Sequence, residues 1–202
     1  MRQASRAAQD TREDLRVPVT SDDLDAWLPD PEIRTRHRRV AEAGVDVLWA
    51  AAREVRLDQT RTIGRLVRWR IPGVPSDQSF AGLLSHDPFA VLCEGEHWSI
   101  SGLCGRIWTL ARDYPAIDGP DAYRAFHEPH SVRVLFAHWV EQGADGRNTL
   151  VSEARVAPTD RVANVRLRAL WLVVGPWERL IGAEPLALAV ARAEAATSGT
   201  AP

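Results

Sequence analysis

"NTLVSEARVAPTDRVANVRLRALWLVVGPWERLIG", residues 148–182, decides the fold. Its start alternates: Leu150, Ser152, Ala154 and Val156 share one face, Glu153 and Arg155 the other. That is the period of a strand with one buried side. Pro158 turns the chain, and Thr159 is positioned to cap a helix with Asp160 in its favourable first turn. The helix runs through Trp171 to Val174, and Gly175-Pro176 must break or kink it. A second helical piece over about 176–194 carries Trp177, Leu180, Ile181, Leu186 and Leu188. A helix this apolar needs a surface to press against.

Working outward, "SVRVLFAHWVEQ" (131–142) is the clearest strand. Val132, Val134, Phe136, His138 and Val140 point one way; Ser131, Arg133 and Glu141 point the other. "GADG" (143–146) closes a hairpin between these two strands. Upstream, "EIRTRHRRV" (32–40) alternates too, with Ile33, Thr35 and His37 inward and Arg34, Arg36 and Arg38 toward solvent. "GVDVLWAAAREVRL" has helical spacing, with Val45, Leu48, Trp49 and Ala52 on one stripe. "PFAVLCEGEHW" and "GLCGRIWTLAR" read as two strands with a turn near Ser99–Gly102, and "AYRAFHEP" as a short strand. "TIGRLVRW" fits helix or strand. "SDDLDAWLPDPE" reads as a short turn capped by Ser21 and pinned by Trp27 and Leu28. Strands joined by hairpins imply an antiparallel sheet with one wet face. The C-terminal helix should cover the other face, which makes the chain α+β.

The chain resembles the SRPBCC superfamily of START-like and polyketide-cyclase-like helix-grip proteins, and within it an uncharacterised bacterial group. The resemblance rests on "LPDPEIRTRH", "VDVLWAAAREVRL", "WRIPG", "GLCGRIW", "AYRAFHEP" and "VSEARVAPTD", over roughly residues 25–192. It implies a curved antiparallel sheet wrapped around a long C-terminal helix, with an internal cavity between them. It also implies that the first and last strands are neighbours. Such cavities commonly hold apolar ligands, and some members of the superfamily perform cyclisation or dehydration there. One position departs from the group: near 138 it more often has an aromatic residue, and here stands His138.

Composition narrows the chemistry. The chain's 202 residues suit one domain. The expected division is a flexible arm over 1–24, the domain over 25–194 and a disordered tail over 195–202. All 25 basic residues are arginine, which excludes Schiff-base and phosphate-loop lysines. A net charge of -2 gives no global field for nucleic acid. Cys93 and Cys104 fit no metal-ligand spacing, and the aspartates at 22, 23 and 25 lack the pattern of a calcium loop. No metal and no cofactor is expected. The first residues have no apolar signal core, and no run is long enough to span a bilayer, so the expected compartment is the cytoplasm, with no membrane partner. Oligomeric state stays open, a homodimer among the options.

By strand parity His37, His138 and Ser152 face inward together, and Phe136 shares the side of His138. Trp108 and Trp171 could wall a pocket for a planar molecule. Arg106, in "CGRIW", could hold a carboxylate or phenolate. The leading expectation is a protein that binds a small, largely apolar, aromatic or polyketide-like ligand through Arg106, Trp108, Phe136, Ser152 and Trp171. The rival is a cofactor-independent cyclase or dehydratase in which His138, then His37, does acid–base work. Each of these residues also has a plain structural role open to it, as a hydrogen-bonded core histidine or a space-filling aromatic.

Overall fold

The hairpin forms as its alternation requires: residues 132–142 and 148–158 pair antiparallel, with His138 opposite Ser152 and Phe136 opposite Ala154. The computed structural model describes residues 20, 22–71, 73–109, 114–175 and 178–199, except for the side chains of residues 70 and 178–181. Ser21, Trp177 and the side chains of Leu180 and Ile181 lie outside the described residues, as do 1–19 and 200–202.

The fold is α+β. Strands β1 (Ile33–Ala41), β2 (Ala90–Gly95), β3 (Trp98–Gly105), β4 (Val132–Gln142) and β5 (Asn148–Pro158) make one antiparallel sheet. Their order is β1-β5-β4-β3-β2, so the first and last strands are neighbours. Helices α1 (Val45–Glu54), α2 (Ile63–Arg70) and α3 (Phe80–Leu84) follow β1, α4 (Gly119–Ala125) precedes β4, and α5 (Arg161–Val174) and α6 (Glu178–Ser198) end the chain. The 21-residue α6 lies over β1 and β5 beside α1, the helix-grip arrangement. Leu186, Ala189 and Ala193 of α6 meet Leu48 and Trp49 of α1 and Val140 and Leu150 of the sheet. Burying one such leucine contributes about 2 kcal/mol.

The helix pressed into the sheet is therefore the second piece. In α5, Ala163 and Leu167 are buried, and Leu167 packs with Ile33, Val134 and Val156. Asp160, not Thr159, caps α5: its carboxylate accepts from the Ala163 N–H at 2.7 Å. Thr159 instead accepts from the Ser131 N–H at 3.1 Å and ties β5 to the start of β4. Helix α6 reaches Ser198, past the expected start of a disordered tail at 195.

Three other expectations change. The β2–β3 turn lies at Glu96-His97, so "GLCG" ends a strand instead of starting one. The first half of "AYRAFHEP" is helical, as the end of α4, and none of it is strand. The second face of the sheet is covered over β3, β4 and β5, while Arg34, Arg36 and Arg38 on the edge strand β1 are exposed as expected. Leu24, within the short 3-10 turn Asp23–Ala26, and Leu28, just after that turn, provide the cover together with Tyr123 of α4. Leu135, Ala137, Trp139 and Val151 are fully buried beneath them. Leu24, assigned to the arm, is core.

Glu153 and Arg155 lie on this covered face, with exposures of 1 % and 0 %. Glu153 Oε1 accepts from Arg155 Nε at 2.7 Å and from Arg34 Nε at 2.9 Å. Arg155 also pairs with Asp25 and donates to the Leu28 carbonyl at 3.4 Å. The buried charges are thus mutually satisfied, the condition for burying them.

Candidate functional site

Between the sheet and the helices lies a cavity of about 410 Å³. Its floor is the inward face of the sheet. Pairing registers set three rows across it. Ile33, Val156, Val134 and Leu103 form an apolar row. Thr35, Ala154, Phe136, Ser101 and Val91 form a mixed one. His37, Ser152, His138, Ser99 and Glu94 form a third, which crosses all five strands and is polar at every position. All of these side chains line the cavity. Directly opposed side chains in such a ladder stand about 5 Å apart, so one small molecule can span two or three of them.

The roof is helical and almost wholly apolar: Trp49 and Ala52 from α1, Ile63 and Val67 from α2, Phe80 and Leu84 from α3, Trp171 and Val174 from α5, and Leu186 and Ala189 from α6. Phe89 meets Phe136 edge to face, with ring centroids 5.8 Å apart. Arg53, Ser85 and Glu94 line the space and are exposed, which marks its opening between α1, α3 and the edge strand β2.

Two of the polar positions have clear physical settings. Desolvation alone lowers the His138 pKa to about 4, so its imidazole is neutral at pH 7. Among the described residues its ring nitrogens have no hydrogen-bond partner. His37 sits against α6 at Gly182, where a Cβ would stand 2.1 Å from its Nε2. Only glycine at 182 leaves room for that ring.

The structure therefore brings together His37, His138, Ser152, Phe136 and Trp171, and leaves out Arg106 and Trp108. Because β3 ends at Gly105, Arg106 falls in the following turn, where its carbonyl accepts from the Thr109 N–H at 3.3 Å. Ile107 lines the cavity in its stead. Trp108 packs in the cluster around Leu167, with Arg166 over its ring at 5.9 Å. Ser99 and Ser101 were missed because Ser99–Gly102 reads as a turn; the alternation of Trp98, Ile100 and Gly102 against Ser99, Ser101 and Leu103 was the available signal.

Elsewhere, Arg53, Arg56, Arg192, Glu54 and Asp77 edge a wide, solvent-open cleft that ion pairs partly bridge. Asp46, Glu96 and His97 lie close together at the surface, held by a 2.7 Å contact between His97 Nε2 and Asp46 Oδ1. Burial pushes the Cys104 thiol up to about 12, which makes it a poor nucleophile.

No family model matches the chain, and a search of curated proteins finds no match. Among solved structures it is similar to a hypothetical protein from Helicobacter pylori, at 8 % identity and a TM-score of 0.38 over 84 % of this chain and 93 % of that one. A likeness at that level carries no argument about function.

Proposed function

We propose that the chain binds a small, mostly apolar ligand between sheet and helices, with one neutral polar group of that ligand on the row at His138 and Ser152. The observation that carries this reading is an apolar space of about 410 Å³ crossed by one complete row of polar side chains. The volume lies in the range of small-molecule sites, which are mostly apolar with a few convergent polar groups. The half-buried His138 ring lines the cavity without a hydrogen-bond partner among the described residues, and a hydrogen bond from a ligand there contributes about 0.5–1.5 kcal/mol. A neutral imidazole offers one donor and one acceptor, so it suits a phenol, an alcohol or a ketone. The flat surfaces of Phe136 and Trp171 favour an aromatic or polyketide-like body. The SRPBCC resemblance points the same way.

The cyclase or dehydratase reading draws on the alignment of His138 with Ser152 and His37. A group with a pKa of about 4 is a weak base near pH 7, which favours binding over proton transfer at this residue.

Native mass spectrometry of freshly purified protein tests the proposal, paired with displacement of a fluorescent naphthylamine probe by simple phenols and aryl ketones. Retained small molecules, or displacement that weakens about tenfold in His138→Leu, support it. No retained species and no probe binding would refute it.

A further inference from the structure

We propose that the outward faces of α2 and α5 dock on a bilayer carrying anionic headgroups. Both helices wall the cavity, through Ile63 and Val67 in α2 and Trp171 and Val174 in α5. Six of the eight large exposed apolar side chains among the described residues lie on these two helices. Leu172 is 81 % exposed, Val165 and Val173 69 %, and Trp69 65 %. On α5, Val162, Val165, Ala169 and Leu172 recur three and four residues apart and make one stripe along the helix. Ala163 and Leu167 already hold the core side of that helix. The stripe is therefore a second apolar face.

Charge decides what covers it. The two helices carry Arg65, Arg68, Arg70, Arg161, Arg166 and Arg168 and no acidic residue, within a chain of net charge -2. Three neighbouring acids among the described residues are already engaged. Glu32 binds Arg168 and Asn164, and Asp160 binds the Ala163 and His130 N–H groups. Glu184 accepts from the backbone N–H groups of Arg61, Thr62 and Ile63 at the start of α2. An apolar stripe bordered by arginines is the pattern of a helix lying in a membrane interface. Arginine stems lie along the apolar surface while their heads reach phosphates. A second copy of the chain fits less well: α5 paired with itself would bring arginines and no acidic side chain of the helix to the interface. No described helix is long and apolar enough to cross a membrane. The expectation of no membrane partner rested on the lack of a spanning segment, and an interfacial helix needs none. The inference does not depend on what the cavity holds.

The test is sedimentation of the full chain with vesicles of phosphatidylcholine alone and of phosphatidylcholine with phosphatidylserine. Binding to the anionic vesicles only, released by salt, is expected. Leu172→Glu and Trp69→Glu, both at exposed positions, and Arg65→Gln combined with Arg68→Gln should each weaken binding by roughly an order of magnitude. Circular dichroism and thermal melts verify that the variants fold. Three results overturn the proposal: no sedimentation with either vesicle, equal sedimentation with both, or a dimer by light scattering that Leu172→Glu dissociates. The last would assign the stripe to a second copy.

Discussion

The imidazole of His37 occupies the place that a side chain on Gly182 would need: a Cβ there would lie 2.1 Å from Nε2 and 2.2 Å from Cδ2. This contact joins the edge strand β1 to α6 at the cavity wall. Alanine in a helix normally stabilises by about 0.5–1 kcal/mol over glycine. Here overpacking, at about 1–3 kcal/mol, should outweigh that gain and lower the melting temperature of Gly182→Ala. Adding His37→Ala should restore part of the loss, a coupling readable in a double-mutant cycle. An unchanged melt for Gly182→Ala alone would mean that His37 swings aside freely.

His138 gives a pH dependence with a definite sign. Its pKa falls from 6.5 in the unfolded chain to about 4 in the folded one, so the unfolded state binds the extra proton between those values. Stability is therefore full above pH 6.5 and falls as pH drops toward 4, by about 3 kcal/mol in all. His138→Leu should flatten the curve in that window. Urea melts across the range check it. A wild-type curve that is flat there would show that the ring is hydrated.

The same variant separates stability from binding. Removing an unpartnered imidazole from the floor should leave the protein as stable as before at pH 7, or about 1 kcal/mol more so. Retention of the ligand should fall. A large loss of stability at pH 7 would instead make His138 a structural hydrogen-bonding residue.

Glu153 should be costly to change alone. Glu153→Gln removes the carboxylate charge between Arg34 and the buried Arg155 and weakens its bonds to both. The expected loss is about 3–5 kcal/mol, read from denaturant melts. Glu153→Leu with Arg155→Met should cost far less, because no charge is left stranded.

Trp171 is half-buried on the cavity wall, and its indole also touches Gly175 at 3.1 Å from the Cβ site. Trp171→Ala should therefore cost less than the roughly 3–5 kcal/mol of a filled-core tryptophan while weakening probe binding. Leu167→Ala, at a fully buried position on the same helix, should show the opposite balance.

Much of the floor was legible because alternation survives wherever one strand face is lined differently from the other. The parity of 131–142 and 148–158 put His138 and Ser152 on one face, and that of 32–40 added His37. The cover over the second face of β4 and β5 was not legible, because Glu153 and Arg155 carry the same charge as the β1 arginines, which do face solvent. Only the return of Leu24 and Leu28, more than a hundred residues away in sequence, makes that face interior. β3 was misread for a related reason. Gly102 resembles a turn residue but is small because the Tyr123 ring would lie 2.6 Å from its Cβ. That packing requirement is tertiary, and local pattern does not carry it. Arg106 and Trp108 followed the misplaced strand out of the site.

Because the central strands β4 and β5 are covered on both sides, they have no spare face. His138 and Ser152 alternate along the same strands with the buried Trp139 and Glu153, so a shift of either strand's backbone would disturb both faces at once. The roof is built differently, from side chains on several separate helices such as Phe80, Leu84 and Ile63, joined by short loops. Such elements can be re-cut one residue at a time. Divergence in what the cavity accepts should therefore accumulate in the roof, while the polar row persists as the inherited part of the site.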